Sequence, residues 1–154
     1  MIRGFKEVDK EFKKNDGETK LPLRGSSRSA GYDFYSKETV VIQPGEWYLF
    51  WSDIKSYMLD GESLEIHIRS SIGIKEDLIL KNSVSIIDQD YYSNPDNDGN
   101  ISMVLFNISK EPRTIEAGDR IAQGVFRKFL EADDFNSNVE FKERTGGIGS
   151  TGKK

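Results

Sequence analysis

From Leu64 to Arg69 apolar and polar residues alternate without a break. Leu64, Ile66 and Ile68 fall on one side of an extended chain, and Glu65, His67 and Arg69 fall on the other. Similar short apolar runs recur at Thr39 to Ile42, Trp47 to Trp51, Val84 to Ile87, Ile101 to Asn107 and Ile121 to Phe129. Turn-forming groups separate such runs: Pro44-Gly45, Asp60-Gly61, Asn97-Asp98-Gly99 and Ala117-Gly118-Asp119. No long stretch carries the 3.6-residue period of an amphipathic helix, so the pattern predicts an all-β fold, a sandwich or jelly roll. Residues 1–20 fit two readings, because Phe5, Val8 and Phe12 can line a helix or belong to a strand with a frayed end. Pro22, Pro44, Pro95 and Pro112 all fall in turn-like contexts, and nothing repeats. One domain over residues 1–154 is therefore expected.

Composition narrows the chemistry. With 36% hydrophobic and 31% charged residues, the 154-residue chain has enough apolar material for a core. It has no Cys and a single His, His67, which excludes disulfides, a thiol nucleophile, a zinc cluster and a His-based triad with a spare base. On the alternating strand His67 reads as a polar-face residue. A net charge of −4 and a pI near 5.2 argue against sequence-independent nucleic-acid binding, so an anionic ligand needs a local site. No apolar run approaches the roughly 20 residues that span a bilayer. The N-terminus, with Lys and Glu mixed from Lys6 onward, lacks a signal-peptide stretch, and a cytoplasmic location is expected. Charge is unevenly spread: Asp88 to Asp98 is acidic and Lys142 to Lys154 mostly basic. An acidic hairpin facing a basic tail and two solvated surfaces both fit that composition.

Four segments can carry chemistry. Arg144 to Lys154 mixes glycines, hydroxyls and cations, the composition of a loop whose backbone N–H groups wrap an anion, or of a disordered Gly-rich terminus. Gly147 to Lys153 matches the start of a P-loop, but Lys154 stands where Ser or Thr is required and the helix has no room to begin. Ile86-Ile87-Asp88-Gln89-Asp90-Tyr91 puts two carboxylates on one face of an extended chain, where one can deprotonate a water; an ordinary turn is the alternative. Arg69-Ser70-Ser71 and Gly118 to Gln123 offer phosphate donors or, separately, turns with surface ion pairs.

Taken in order, these segments resemble the five motifs of the trimeric dUTPase family, whose members split dUTP into dUMP and pyrophosphate. Ala30-Gly31-Tyr32-Asp33 resembles the first motif, Arg69-Ser70-Ser71 the second, Asn82 through Tyr91 the third, Gly118 through Gln123 the fourth and Arg144 through Gly152 the fifth. The resemblance spans about residues 20–152. It implies a jelly-roll homotrimer with shared active sites, in which strands or tails are exchanged and a mobile tail, 142–154, closes over the site. It implies Asp88 as the carboxylate that activates water against the α-phosphorus, with Asn82 holding the base or water. Tyr91 would pack against deoxyribose, and backbone groups of Ser85, Ile86, Ile87 and Ser102 would read uracil. Arg69, Ser70, Ser71, Gln123, Arg144, Ser150 and Thr151 would serve or support the triphosphate. Mg²⁺ would be held mainly by phosphates and water, with Asp33 in reach through water.

Departures from the family pattern carry their own expectations. Ile148 stands where the family usually has Phe, which predicts an apolar cap without ring stacking and a KM that Ile148→Phe lowers. The fifth motif is one residue short near Arg144. Ser71, Asp77 and Ser85 occupy positions often held by Gly. Ser93 to Asp98 is an insertion like those of Gram-positive bacteria and their phages, an elongated turn or a contact surface for a regulatory protein. The rival within the fold is a dCTP deaminase, alone or bifunctional. Leu105 stands on the strand where those enzymes carry a proton-transferring Glu.

Overall fold

In the computed structural model, residues 1–133 and 144–147 are described, and they form twelve strands and one six-residue helix. The strands are β1 (Gly4–Glu7), β2 (Leu23–Arg24), β3 (Tyr32–Tyr35), β4 (Val40–Ile42), β5 (Trp47–Trp51), β6 (Ile54–Tyr57), β7 (Glu62–Ile68), β8 (Leu78–Leu80), β9 (Ser85–Ile87), β10 (Ser102–Asn107), β11 (Arg113–Ile115) and β12 (Arg120–Lys128). Helix α1 (Ser70–Lys75) follows β7. The all-β, jelly-roll-like expectation holds. The turns form where glycine permits a left-handed backbone, at Gly45, Gly61, Gly99 and Gly118.

β12 lies between β3 and β7 in a five-stranded sheet ordered β2-β3-β12-β7-β9, and every pairing in it is antiparallel. The alternation of β7 works as its pattern predicts: Leu64 and Ile66 are fully buried, while His67 and Glu65 face outward and pair with each other at 2.9 Å. A second sheet, β5-β10-β8, buries Phe50, Leu78, Leu80, Met103 and Leu105 on its inner face. Its outer face stacks Trp51 beside Ser102, Leu49 beside Val104, and Trp47 and Ile79 on either side of Phe106, leaving Trp47 and Ile79 exposed.

The first twenty residues follow neither of the two readings alone. β1 pairs with β6, then a single 3-10 turn spans Lys10–Phe12. Phe5 sits 5.4–5.6 Å, ring centre to ring centre, from Tyr32, Phe34 and Phe126, and Val8 is buried. The aromatic cluster gives this segment a burial that its own period does not announce.

Candidate active site

The sheet order brings distant motifs to two places. The first is a pocket of about 370 Å³ at the open edge of β9, lined by Asn82, Ser85, Ile86, Ile87, Asp88, Tyr91 and Ser102, with Arg144 and Gly147 closing it. Among the described residues β9 pairs only with β7 and so forms the edge of its sheet, the position from which a backbone can read a ligand as it would another strand. Asn82 donates to the Ser85 hydroxyl at 2.9 Å, which braces the turn leading into that strand.

Asp88 and Asp90 do not lie along an extended chain as the alternation predicted. The backbone leaves β9 at Asp88 and coils into a 3-10 turn, Gln89–Tyr91. Both carboxylates still converge on one cation: Arg144 donates from Nη2 to Asp88 at 2.7 Å and from Nε to Asp90 at 2.9 Å. Its guanidinium also lies 5.6 Å from the centre of the Tyr91 ring. The acidic segment and the start of the tail therefore meet.

Tyr91 is buried, and its hydroxyl is held from two sides. It donates to the Asn100 carbonyl at 2.9 Å and accepts from Asn97 Nδ2 at 2.8 Å. Burial pushes the phenol above its ordinary value, and the charge of Asp96 adds to that; the Asn97 hydrogen bond and the Arg144 charge oppose it. The phenol stays neutral at physiological pH, and the ring is a fixed apolar wall.

The second place is a recess of about 270 Å³ lined in part by Arg69, Ser71 and Arg120. Arg69 precedes α1 and Ser70 opens it. Gln123 on β12 sits across from Asp33 on β3 and His67 on β7. Asp33, expected near a metal's water shell, is buried and engaged by two guanidiniums, Arg69 Nε at 3.0 Å and Arg120 Nη1 at 3.3 Å. Those partners make it the group that orients Arg69. None of Arg69, Ser70, Ser71 and Gln123 lines the Asp88 pocket of the same chain. Ile148, Ser150 and Thr151 lie outside the described residues, as does most of segment 142–154.

The Ser93–Asp98 insertion is more than a lengthened turn. Asn94, Asn97 and Asp98 are buried, and Lys55 pairs with Asp98 at 2.6 Å beneath the loop. Sequence reasoning gave Asp96 and Asn97 no role of their own within the insertion after Tyr91, and named Arg120 only as part of the Gly118–Gln123 segment.

The dUTPase family model matches residues 17–152. The chain belongs to the dUTPase family. It is 49% identical over 151 residues to the deoxyuridine 5'-triphosphate nucleotidohydrolase of Lactococcus lactis, covering 98% of each chain. Its fold is similar to that of the Streptococcus mutans dUTPase, with a TM-score of 0.74, 40% identity and coverage of 84% of this chain and 98% of that one. It also resembles in fold a mutant dUTPase from phage phi11 of S. aureus, with a TM-score of 0.70 and 20% identity, covering 92% of this chain and 99% of that one. The segments that resemble the dUTPase motifs thus meet two separate surfaces of this chain, a pocket at β9 and a recess at α1 whose lining includes Arg69 and Arg120 as well as Glu76 and Asp119.

Proposed function

We propose that this protein hydrolyses dUTP to dUMP and pyrophosphate, with Asp88 as general base. The observation that carries the reading is the juxtaposition of Asp88, the Tyr91 wall and the open edge of β9 around one pocket. Uracil would pair with main-chain groups of Ser85, Ile86 and Ile87, with Ser102 and Asn82 beside it, and cytosine would present a donor where the strand also donates. Deoxyribose would rest on Tyr91, whose doubly held hydroxyl keeps the ring from yielding to a 2′-hydroxyl. Asp88 would take the proton of a water whose oxygen attacks the α-phosphorus; the bond to the bridging oxygen breaks and pyrophosphate leaves.

Arg69, Ser70, Ser71 and Gln123 would serve the triphosphate, with Asp33 and Arg120 orienting Arg69. Because they sit apart from the Asp88 pocket within one chain, a complete site calls for a second copy. A homotrimer supplies it by cyclic symmetry, and the apolar outer face of β5-β10-β8 offers a surface for self-association. Arg144, Ile148, Ser150 and Thr151 would close the tail over the nucleotide and exclude water. Mg²⁺ fits this donor set as an ion held by the phosphates and water, since no group of three or more His, Asp or Glu among the described residues forms a cage. When bound it neutralises charge on the triphosphate. No helix among the described residues is long and apolar enough to cross a membrane. The proposed reaction is assigned to the cytoplasm.

The deaminase alternative has little support at its decisive position, because Leu105 is fully buried in the core. The test is pyrophosphate release from dUTP, dCTP, dTTP and UTP with Mg²⁺, for wild type and Asp88→Asn. The expected result is turnover of dUTP only, reduced by about 10²- to 10⁴-fold in the variant. Ammonia from dCTP would establish the deaminase instead, and no turnover at all would leave a regulatory protein partner at the Ser93–Asp98 insertion as the function.

A further inference from the structure

The insertion loop is fixed from within and from below. The Asn94 side chain accepts from the backbone N–H groups of Asp96 and Asn97 and donates to the Tyr91 carbonyl at 2.8 Å and to Asn97 Oδ1 at 2.8 Å. Ser93 and Asp98 adopt left-handed backbones, with φ of 54° and 57°, that let the loop reverse in so few residues. Gly99 follows at φ 79°, where an added Cβ would come within 2.6 Å of the Tyr91 carbonyl oxygen. Asp98 is clamped by Lys55 and by the Asp9 N–H at 2.8 Å.

Two side chains project from this frame toward the nucleotide pocket. Asn97 has its amide orientation set, since Oδ1 accepts from Asn94 and from the Gly99 N–H at 3.0 Å, so Nδ2 is aimed at the Tyr91 hydroxyl. Asp96 is exposed, and its Oδ2 accepts from the Gly147 N–H at 3.1 Å. The approach requires glycine: a Cβ at Gly147 would come within 2.7 Å of Asn97 Nδ2 and 3.2 Å of Asp96 Oδ2. One loop thus touches the ring and the tail.

We infer that Asp96 and Asn97 are positioning residues of the nucleotide site. Asn97 holds the Tyr91 ring against ribose, and Asp96 seats the tail at Gly147. This rests on the proposed dUTP hydrolysis. A hydrogen bond to a charged group is worth roughly tenfold or more in an equilibrium. Asp96→Ala is expected to raise the KM for dUTP by about tenfold and to act on KM more than on kcat. Asp96→Asn, which keeps an acceptor oxygen without the charge, is expected to restore part of the loss. Asn97→Ala is expected to lower the preference for dUTP over UTP in kcat/KM by about tenfold.

Trypsin cleavage after Arg144, followed in the absence of nucleotide, should accelerate in Asp96→Ala and by less in Asp96→Asn. That readout does not depend on turnover. An inactive wild type would sink the hydrolysis reading, while cleavage rates would still report on the tail seat. An active wild type with unchanged KM and unchanged cleavage in Asp96→Ala would overturn the role of Asp96. An unchanged dUTP-to-UTP ratio in Asn97→Ala would overturn that of Asn97. If that variant melts too early to assay, Tyr91→Phe removes this hydrogen bond together with the one to the Asn100 carbonyl, and is expected to lower the ratio by at least as much.

Discussion

Asp53 occupies the corner between β5 and β6 at φ 57°, fully buried, and both of its oxygens are taken. Oδ1 accepts from the Lys14 N–H at 2.8 Å and Asn100 Nδ2 at 3.0 Å. Oδ2 accepts from Asn15 through its backbone and its amide and from Lys37 Nζ at 3.2 Å. Burial alone would raise this carboxyl, but the hydrogen bonds from Lys14, Asn15, Asn100 and Lys37 outweigh it and hold Asp53 below the ordinary carboxylate range. A depressed folded pKa places the stabilisation on the charged form. It is present in full above the unfolded value of about 4 and is lost as pH falls through the lower folded value. Asn tolerates the left-handed backbone, so Asp53→Asn spares the turn while it removes the charge opposite Lys37 and turns an amide nitrogen toward groups that donate. The expected cost at pH 7 is about 2–4 kcal/mol by chemical denaturation. The gap to wild type should narrow below about pH 4. A gap of equal size at pH 3 and pH 7 would deny the charge any part in it.

At the scale of elements, β12 is the strand on which the architecture depends, and Gly124 shows how closely its neighbours approach. A Cβ there would come within 2.9 Å of the Phe34 ring and 3.0 Å of a Leu64 methyl, both fully buried. Gly124→Ala forces that layer apart and is expected to cost about 1–3 kcal/mol, read as a lower urea midpoint at an unchanged slope. β7 could be read from the chain because one face is apolar and the other is not, and β10 because it is a short apolar run between polar residues. β6 could not. Lys55 and Ser56 are buried beside Ile54, so the alternation that marks a half-buried strand is absent. The stretch is made tolerable by Asp98, more than forty residues away, which neutralises Lys55. The same reason hid the insertion: an Asn- and Asp-rich run reads as a solvated turn until its amides are seen to satisfy one another. Asp88, Tyr91 and their neighbours were nameable because residue type and order carry the family's chemistry. Asp96 and Asn97 act through geometry, which order does not encode.

For the whole molecule, the separation of the two motif groups decides how many chains make a site. Asp88, Tyr91 and Arg144 share one pocket, while Arg69 and Ser71 line a different recess. If each site combines the first group from one copy with the second from another, two defective variants can repair each other. Asp88→Asn and Arg69→Ala are each expected to be nearly inactive alone. Co-expressed with distinct tags and purified as mixed oligomers, they should regain activity. With random mixing in a cyclic trimer, about one quarter of the sites pair an intact Asp88 from one subunit with an intact Arg69 from its neighbour. The recovered kcat per site should approach that fraction of wild type, with an unchanged KM for dUTP. A site contained within a single chain predicts no recovery at any mixing ratio, because every chain in the mixture carries one of the two lesions.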